Sequence, residues 1–203
     1  MFPYDVILFD VGGVLLTNGW DHRERAEVLP RFGLDVATFE ARHPEPYAKW
    51  ERGACTAREY LDATVFYEPR TFTHEDFLSA ICAMSRILED SALGILGELA
   101  ASDKCMLGAL NNEARETNEF RFEKFGLRKY FNVALSSCYV GLRKPDEAIY
   151  RQALDILGRP AGRVLFIDDR AENVAGAAAV GMDTIHYTGQ EALRAALAER
   201  GVL

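Results

Sequence analysis

The sequence predicts an α/β protein: a three-layer core in which helices cover both faces of a parallel sheet, with a helical bundle inserted after the first strand. From residue 106 onward, short apolar runs alternate with helix-like stretches, which is typical of a parallel sheet. Residues 10–105 show helical periodicity and far exceed the dozen or so residues that a crossover needs. The chain has 203 residues, 49% of them hydrophobic, which is enough for one core with an insertion.

Five apolar runs rich in β-branched and aromatic residues are the predicted strands. Each is short, as expected for a buried strand of a parallel sheet. All but the first come after the long helical stretch, so the insertion interrupts the sheet near its beginning. The predicted strands span residues 6–9, 106–110, 133–136, 164–167 and 184–187.

Four helices are predicted in the insertion. Thr73-His74-Glu75-Asp76 is a capping box that opens an amphipathic helix. The apolar face of that helix carries Phe77, Ile81, Met84, Ile87 and Leu88, and the other three helices cover residues 23–32, 36–50 and 56–67. Helices on the sheet are predicted over residues 91–101, 113–125, 146–157, 172–180 and 190–199. We therefore expect a core formed by residues 1–17 and 90–203, and a helical bundle formed by residues 18–89.

The composition argues against several classes of protein. The chain has 23 Lys and Arg against 31 Asp and Glu, a net charge of −8, which disfavours binding to nucleic acid or to an anionic membrane. The first apolar run has no basic residue before it and is interrupted by Asp10, so we expect no signal peptide, no membrane span and a cytoplasmic location. The four cysteines and four histidines are too scattered for a zinc site, and we expect reduced thiols. Nothing in the composition indicates a dimer, and we expect a monomer or a weak homodimer.

Polar residues directly follow the predicted strands. Because the carboxyl ends of parallel strands form one crevice, these side chains should converge there. Each alone could be a turn former or a helix cap. Three carboxylates together, however, would raise one another's pKa unless a cation lay among them, and hard oxygen ligands indicate Mg²⁺. The residues are Asp10, Asn111, Asn112, Lys144, Asp168 and Asp169.

Four short strings carry these residues in chain order. They are Phe9-Asp10-Val11-Gly12-Gly13-Val14-Leu15, Leu110-Asn111-Asn112, Leu142-Arg143-Lys144-Pro145 and Phe166-Ile167-Asp168-Asp169-Arg170-Ala171-Glu172-Asn173. In order, they resemble the four motifs of the haloacid dehalogenase-like (HAD) hydrolase superfamily. The resemblance spans nearly the whole chain and is strongest to the phosphatase-like branch whose first motif reads Asp-x-Gly.

This resemblance implies a Rossmann-like core, a helical cap formed by residues 18–89, and a Mg²⁺-dependent phosphomonoester hydrolase. Asp10 would attack phosphorus and form an aspartyl-phosphate that water then hydrolyses. Asp10, the backbone carbonyl of Gly12 and a carboxylate of the acidic pair would hold the Mg²⁺, with Asp169 the first candidate for the direct ligand and Asp168 the second. Asp168 would orient Lys144 or a metal-bound water. Asn173 would support the site from the next helix.

Substrate contacts are expected from the core and from the cap. The backbone N–H groups of Gly12 and Gly13 could donate to phosphate oxygens, and Lys144 supplies a positive charge for the phosphoryl group. Asn112 could position the substrate or Asp10. In the cap, the aromatic residues are candidates for contacts to a small phosphorylated metabolite such as a sugar phosphate, although aromatics at helical spacing are more often core residues. These candidates are Trp20, Tyr47 and Trp50.

Two positions depart from the family's pattern. Gly12 replaces the second aspartate that most phosphatases of the family use as a general acid and base. Asn111 replaces the usual Ser or Thr that binds the phosphoryl group, and its amide could still donate that hydrogen bond to the substrate, with a different geometry. Two alternatives therefore remain open, namely a dehalogenase-type hydrolase and a non-catalytic relative that binds a phosphorylated ligand. Beyond the motifs, we expect a solvated helix face with local ion pairs at Glu113, Glu116, Glu119, Arg115 and Arg121.

Overall fold

A computed structural model describes residues 2–203 and contains one five-stranded parallel sheet. The spatial order of the strands is β3-β2-β1-β4-β5, so the first strand of the chain lies at the centre. The predicted α/β fold with a parallel sheet and a helical insertion is confirmed. The strands are β1 (Val6–Phe9), β2 (Met106–Ala109), β3 (Val133–Ala134), β4 (Val164–Asp168) and β5 (Asp183–His186).

The register of the central strand determines where the polar residues emerge. Phe9, the last residue of β1, pairs with Ala109 of β2 on one side and with Ile167 of β4 on the other. The residues that follow these three positions therefore leave the sheet at the same level and on the same edge. Asp10 and Asp168 are two of them, which brings residues 158 positions apart in the chain to the same crevice.

Five helices of the insertion form a bundle with its own apolar cluster. They are α1 (His22–Arg31), α2 (Val36–Arg42), α3 (Pro44–Glu51), α4 (Ala57–Thr64) and α5 (His74–Ala83). The largest side chains in the cluster are those of Trp20, Trp50, Tyr60 and Phe77, all of them buried. The capping box at Thr73 is confirmed, since its hydroxyl accepts from the backbone of Asp76, whose carboxylate in turn accepts from the backbone of Thr73.

The prediction of four helices in this bundle was wrong at one position. The predicted helix over 36–50 is two helices, α2 and α3, that meet at His43. Proline has no N–H, and its ring collides with the preceding helical turn, so Pro44 ends the first helix and begins the second. Helix α5 also ends earlier than predicted, so Ile87 and Leu88 lie beyond it and Ile87 is half exposed.

The remaining helices cover the sheet or its carboxyl edge. They are α6 (Leu93–Ser102), α7 (Arg115–Lys124), α8 (Ser137–Val140), α9 (Glu147–Leu157), α10 (Ala171–Ala179) and α11 (Gln190–Glu199). Helices α6 and α11 pack against one face of the sheet, and helices α9 and α10 pack against the opposite face. Although α6 is part of the insertion between β1 and β2, Ile95, Leu96 and Leu99 bury it against the sheet. We propose residues 18–89 as the cap, because Leu16 belongs to the sheet cluster and Trp20 to the bundle cluster.

Among residues 2–203, the structure has no helix that combines the length and the apolar character needed to cross a bilayer.

Candidate active site

Asp10, Lys144 and Asp168 form a buried charged group at the carboxyl edge of the sheet. The Lys144 Nζ lies 3.0 Å from Asp10 Oδ1 and 2.6 Å from Asp168 Oδ2. All three side chains are almost completely buried. With Asp169, they form what we call the floor of the site: Asp10, Lys144, Asp168 and Asp169.

Asp168 is held by hydrogen bonds from three directions. Besides Lys144, the Asn173 side-chain amide donates to both of its oxygens at 3.0 and 3.1 Å, and the backbone N–H of Arg170 donates to Oδ1 at 2.8 Å. The sequence predicted Asn173 as a supporting residue, and the structure places its amide against Asp168. Because these hydrogen bonds hold both oxygens of Asp168 in place, and one of them comes from Lys144, Asp168 is suited to orienting Lys144.

Asp169 differs from Asp168, since its Oδ1 is buried and has no hydrogen-bond partner among residues 2–203. Its carboxylate lies directly against Gly13, whose φ is +75°. A Cβ at position 13 would overlap this carboxylate, so Gly13 serves both the left-handed turn and the close approach. A buried carboxylate oxygen without a partner is costly unless a cation contacts it.

The three aspartates fit a divalent cation. Asp10, Asp168 and Asp169 each offer an oxygen, and the three atoms lie within 4.8 Å of one another. Burial raises the pKa of Asp10 despite the opposing charge of Lys144, and the neighbouring Asp168 raises it further. Burial and the charge of Asp168 also raise the pKa of Asp169. A hard cation among these oxygens would relieve both effects, as expected of a Mg²⁺ site.

Lys144 remains charged in this environment. Burial alone would lower its pKa, but the carboxylates of Asp10 and Asp168 outweigh burial and raise it. Asn112 fixes the lysine backbone from both sides: Lys144 N–H donates to Asn112 Oδ1, and Asn112 Nδ2 donates to the Lys144 carbonyl, each at 2.8 Å. The Asn112 side chain is therefore bonded to the Lys144 backbone, and its role in positioning the substrate or Asp10 stays a prediction.

Asn111 is directed away from the floor. Its Nδ2 donates to Asn118 Oδ1 at 3.0 Å, and its Oδ1 accepts from the Ser136 hydroxyl at 2.7 Å. Both partners are buried, and Asn111 does not line the cavity above the floor. Its predicted contact with a phosphoryl group remains a prediction that this side-chain orientation does not favour.

A cavity of about 320 Å³ lies between the floor and the cap. Asp10, Gly12 and Lys144 line its lower side. Several residues of the cap line it, and we call four of them the roof: Trp20, His43, Tyr47 and Glu51. Of the three aromatic candidates, Trp20 and Tyr47 are thus at the cavity. Trp50 is not, since its ring stacks on Tyr60 at 4.5 Å between centroids.

The cavity walls carry charges of both signs. The basic groups are Arg25, Arg121, Arg143, Lys144 and Arg170, and the acidic groups are Asp10, Asp21, Glu51, Glu113 and Glu172. His43 adds a neutral imidazole, because burial and the nearby Arg25 lower its pKa to about 4. The lining therefore suits a polar ligand with hydrogen-bonding groups.

The prediction of a solvated face on α7 was wrong for three of its five residues. Glu113 and Arg121 are 5% and 1% exposed and form a buried ion pair. Arg121 also donates to the carbonyl of Thr17, at the start of the cap. Glu116 accepts hydrogen bonds from Trp50 Nε1 and from the backbone N–H of Ala57, both at 2.8 Å and both in the cap. Glu119 and Arg115 are exposed as expected.

Glu51 and Glu116 were not among the site residues predicted from the sequence. Nothing local distinguishes a buried glutamate from an exposed one. The hydrogen-bond partners of Glu116, which are Trp50 and Ala57, come from elements far away in the chain. Only the packing of the cap on the core reveals them.

Comparisons with known proteins agree with this geometry. A model of the haloacid dehalogenase-like hydrolase family matches residues 4–181. Flavin mononucleotide hydrolase 1 of Arabidopsis thaliana is 27% identical over 198 residues, covering 97% of this chain and 78% of that protein. The sesquiterpene phosphatase astK of Aspergillus oryzae is 26% identical over 209 residues, covering 91% and 90%.

A solved structure has the same fold. It is a HAD family enzyme of Bacteroides thetaiotaomicron in complex with magnesium and inorganic phosphate, with a TM-score of 0.76 and 19% identity. The match covers 92% of this chain and 95% of that one.

Proposed function

Because the chain belongs to the haloacid dehalogenase-like hydrolase family, we propose that it is a Mg²⁺-dependent phosphomonoester hydrolase that acts on a small phosphorylated metabolite, such as a sugar phosphate. The observation that carries this proposal is the floor. Asp10, a carboxylate able to act as nucleophile, lies 3.0 Å from a buried cation and within one group of three carboxylates suited to a metal ion. That combination matches the charge that develops on a transferring phosphoryl group.

Asp10 is the proposed nucleophile. The backbone N–H of Val11 donates to Asp10 Oδ1 at 2.8 Å, and Lys144 contacts the same oxygen. Both contacts fix the plane of the carboxylate and leave Oδ2 to attack phosphorus. The Oδ2–phosphorus bond forms as the bond to the leaving oxygen breaks, and water then attacks phosphorus to release phosphate and regenerate Asp10.

The metal would be held by Asp10, the Gly12 carbonyl and Asp169. The unpartnered Asp169 Oδ1 supports Asp169 as the direct ligand, whereas Asp168 already accepts bonds from Lys144, Asn173 and Arg170. When bound, the ion supplies positive charge that stabilises the oxygens of the phosphoryl group. Lys144 supplies a second, fixed positive charge at the same place.

The cavity supports a small, polar substrate. A volume of about 320 Å³ is at the lower end of ordinary ligand pockets, and its walls mix charged and hydrogen-bonding groups. Two relatives are named for flavin mononucleotide and for a sesquiterpene phosphate, so phosphorylated compounds of different size occur among the relatives' named activities. The charged walls favour a hydroxylated leaving group over a terpenoid one.

The test is a phosphate-release assay with purified protein. Sugar phosphates, nucleotides, flavin mononucleotide, small phosphorylated acids and 4-nitrophenyl phosphate are supplied with Mg²⁺ and, in parallel, with a chelator. We expect phosphate release that requires Mg²⁺ and is fastest with a small polar substrate. Release of chloride from 2-chloropropionate in the chelator would instead support the dehalogenase. Binding of phosphorylated compounds without turnover would support the non-catalytic relative.

A further inference from the structure

Position 12 leaves the proposed phosphatase without an obvious proton donor. In most phosphatases of the family, an aspartate at that position protonates the leaving oxygen, and here a glycine stands there. An alkoxide is a poor leaving group, and a positioned acid typically accelerates such a step by about 10²–10⁴-fold. A substitute donor must therefore be sought among the residues that line the same cavity.

Glu51 has the geometry of such a donor. It is the last residue of α3, lines the cavity together with Asp10 from the opposite side, and is only 5% exposed. Arg143 Nη2 lies 3.2 Å from its Oε2, but without hydrogen-bond geometry, and no group among residues 2–203 donates a hydrogen bond to that oxygen. Glu51 is therefore a buried carboxyl, close to Tyr47 and Arg143, with one oxygen that has no hydrogen-bond partner among the described residues.

The turn that carries Glu51 is fixed on the core. Ser137 Oγ donates to the Glu51 carbonyl at 2.6 Å, and Glu116 binds the preceding residue, Trp50, through its indole N–H. Two residues further on, Gly53 has φ +68° and lies against the carbonyl of Cys138, where a Cβ would overlap the backbone. Because both sides of the turn are held, the carboxyl group is positioned over the cavity and does not depend on a flexible loop.

Apart from Asp10 and Glu51, each acidic residue that lines the cavity is ion-paired, caps a helix or is exposed to solvent. Glu113 is ion-paired to Arg121 and accepts from the Thr117 hydroxyl. Asp21 caps α1 and lies 3.5 Å from Arg170. Glu172 lies on the exposed face of α10, near its N-terminus.

The two neutral titratable residues of the roof, His43 and Tyr47, are poor proton donors to the leaving group. His43 is unprotonated at neutral pH because burial lowers its pKa to about 4. Burial and the charges of Glu51 and Glu113 raise the pKa of Tyr47 well above its ordinary value, so it gives up a proton reluctantly.

We propose that Glu51 is the proton donor to the leaving group and then the base for water, in place of the acid that position 12 lacks. This inference rests on the proposed phosphatase function. As Asp10 bonds to phosphorus and the bond to the leaving oxygen breaks, that oxygen takes its electron pair and the proton of the Glu51 carboxyl. The resulting carboxylate then accepts a proton from the water that attacks the aspartyl-phosphate, which restores the acid.

The charges that face Glu51 are consistent with an acid that is protonated more readily than an exposed glutamate. Burial is the largest effect and raises its pKa, Arg143 lowers it, and Glu113 raises it again. Tyr47 and Arg170 lower it by smaller amounts. The carboxyl end of α3, where the helix dipole is negative, also disfavours the charged form.

The experiment compares leaving groups of different basicity in the full-length protein with Mg²⁺. The probes are 4-nitrophenyl phosphate, whose leaving group needs little protonation, phenyl phosphate, and the best alkyl phosphate of the substrate panel. The quantity compared is kcat/KM, because it reports the steps up to loss of the leaving group. The variants are Glu51→Gln and Glu51→Asp. The matched control is Glu45→Gln, an exposed residue on the same helix.

We expect Glu51→Gln to lose about 10²-fold or more on the alkyl phosphate and less than about 10-fold on 4-nitrophenyl phosphate. Glu51→Asp should recover part of the loss, and Glu45→Gln should match the wild type. An equal loss on all three probes would overturn the inference and leave the proposed function intact. If the wild type releases no phosphate from any substrate, the proposed function fails first.

A wild-type measurement decides the matter even if Glu51→Gln does not fold. With the alkyl phosphate, kcat/KM should fall as pH rises through the pKa of Glu51, because the protonated form is required. With 4-nitrophenyl phosphate this alkaline decline should be absent or much weaker. The same decline with both probes would overturn the proposed role of Glu51.

Discussion

The floor and the roof of the cavity are built in different ways. Each floor residue lies within a few positions of a strand end or in a short motif, so the parallel sheet itself brings these residues together, and Lys144 then contacts Asp10 and Asp168. The roof is held instead by contacts between the cap and the core, such as Glu116 to Trp50 and Ser137 to Glu51. The position of the floor therefore follows from strand ends and motifs that are visible in the sequence, whereas the shape of the site above it depends on how the cap packs on the core.

If this difference is real, changes to the floor should abolish chemistry, whereas changes to the roof other than at Glu51 should alter how substrates bind. After loss of the nucleophile itself, the largest expected effect is that of Lys144→Met, which removes the buried cation and keeps most of the side chain's volume. Asp10 and Asp168 would then be buried without their partner, which typically costs about 3–5 kcal/mol. We also expect kcat/KM for phosphate release to fall by about 10²–10³-fold.

Urea unfolding in a chelator measures the stability change of Lys144→Met without interference from a bound cation. Added Mg²⁺ should restore part of the loss, because the three aspartates would regain a positive charge. A change in the free energy of unfolding below about 1 kcal/mol would mean that the floor carboxylates are not charged together, against our interpretation of the site.

A smaller effect is expected from Gly13→Ala. The new Cβ would overlap the Asp169 carboxylate and push it out of the metal-binding group. Displacing the surroundings of a ligand typically costs about 10–100-fold in metal affinity, so the Mg²⁺ concentration for half-maximal activity should rise by that factor. The readout is a Mg²⁺ titration of phosphate release.

Gly33→Ala is the matched control for this substitution. Gly33 also has a positive φ, +66°, but a Cβ there meets no atom within 4 Å. The Gly33→Ala variant should therefore have similar backbone strain without a collision, and its Mg²⁺ requirement should be unchanged. If both variants shift the titration equally, backbone strain and not the contact with Asp169 explains the effect.

The smallest effect is expected where the core supports the cap, from Glu116→Gln on helix α7. The amide oxygen can accept one of the two hydrogen bonds, from Trp50 or Ala57, but its NH₂ faces a second donor. An unsatisfied group of this kind costs about 1–3 kcal/mol, which should loosen the cap, raise KM several-fold and change kcat less. Glu119→Gln, on the exposed side of the same helix, is the control. A fall in kcat with no change in KM would contradict the separation of floor and roof.

The sequence was sufficient for the parts of the fold that depend on local pattern. The five strands appear within a residue or two of their predicted bounds, and the capping box at Thr73 forms as expected. The convergence of Asp10, Asp168 and Asp169 followed from a general rule about parallel sheets, combined with motif order. The helix break at Pro44 was also encoded locally, but the periodicity of the flanking residues concealed it.

Burial at the interface of the two domains could not be predicted in the same way. Glu113 and Arg121 look like an exposed pair on a charged helix, and only the cap packed above them makes them buried. The orientation of Asn111 toward Asn118 and Ser136 depends likewise on residues outside its own motif. Trp50 was considered a substrate contact because it is aromatic, yet its ring fills the cap interior against Tyr60.

The most direct test of the account is the rate of phosphate release by Asp10→Asn beside the wild type, with Mg²⁺ in excess and after chelation. The central claim is that Asp10 accepts phosphorus while it shares a divalent cation with Asp169. We predict that the wild type loses activity on chelation, and that Asp10→Asn is slower by about 10⁴-fold or more while its unfolding midpoint is no lower. Activity of Asp10→Asn within about 10-fold of the wild type, or full wild-type activity in the chelator, would contradict the claim.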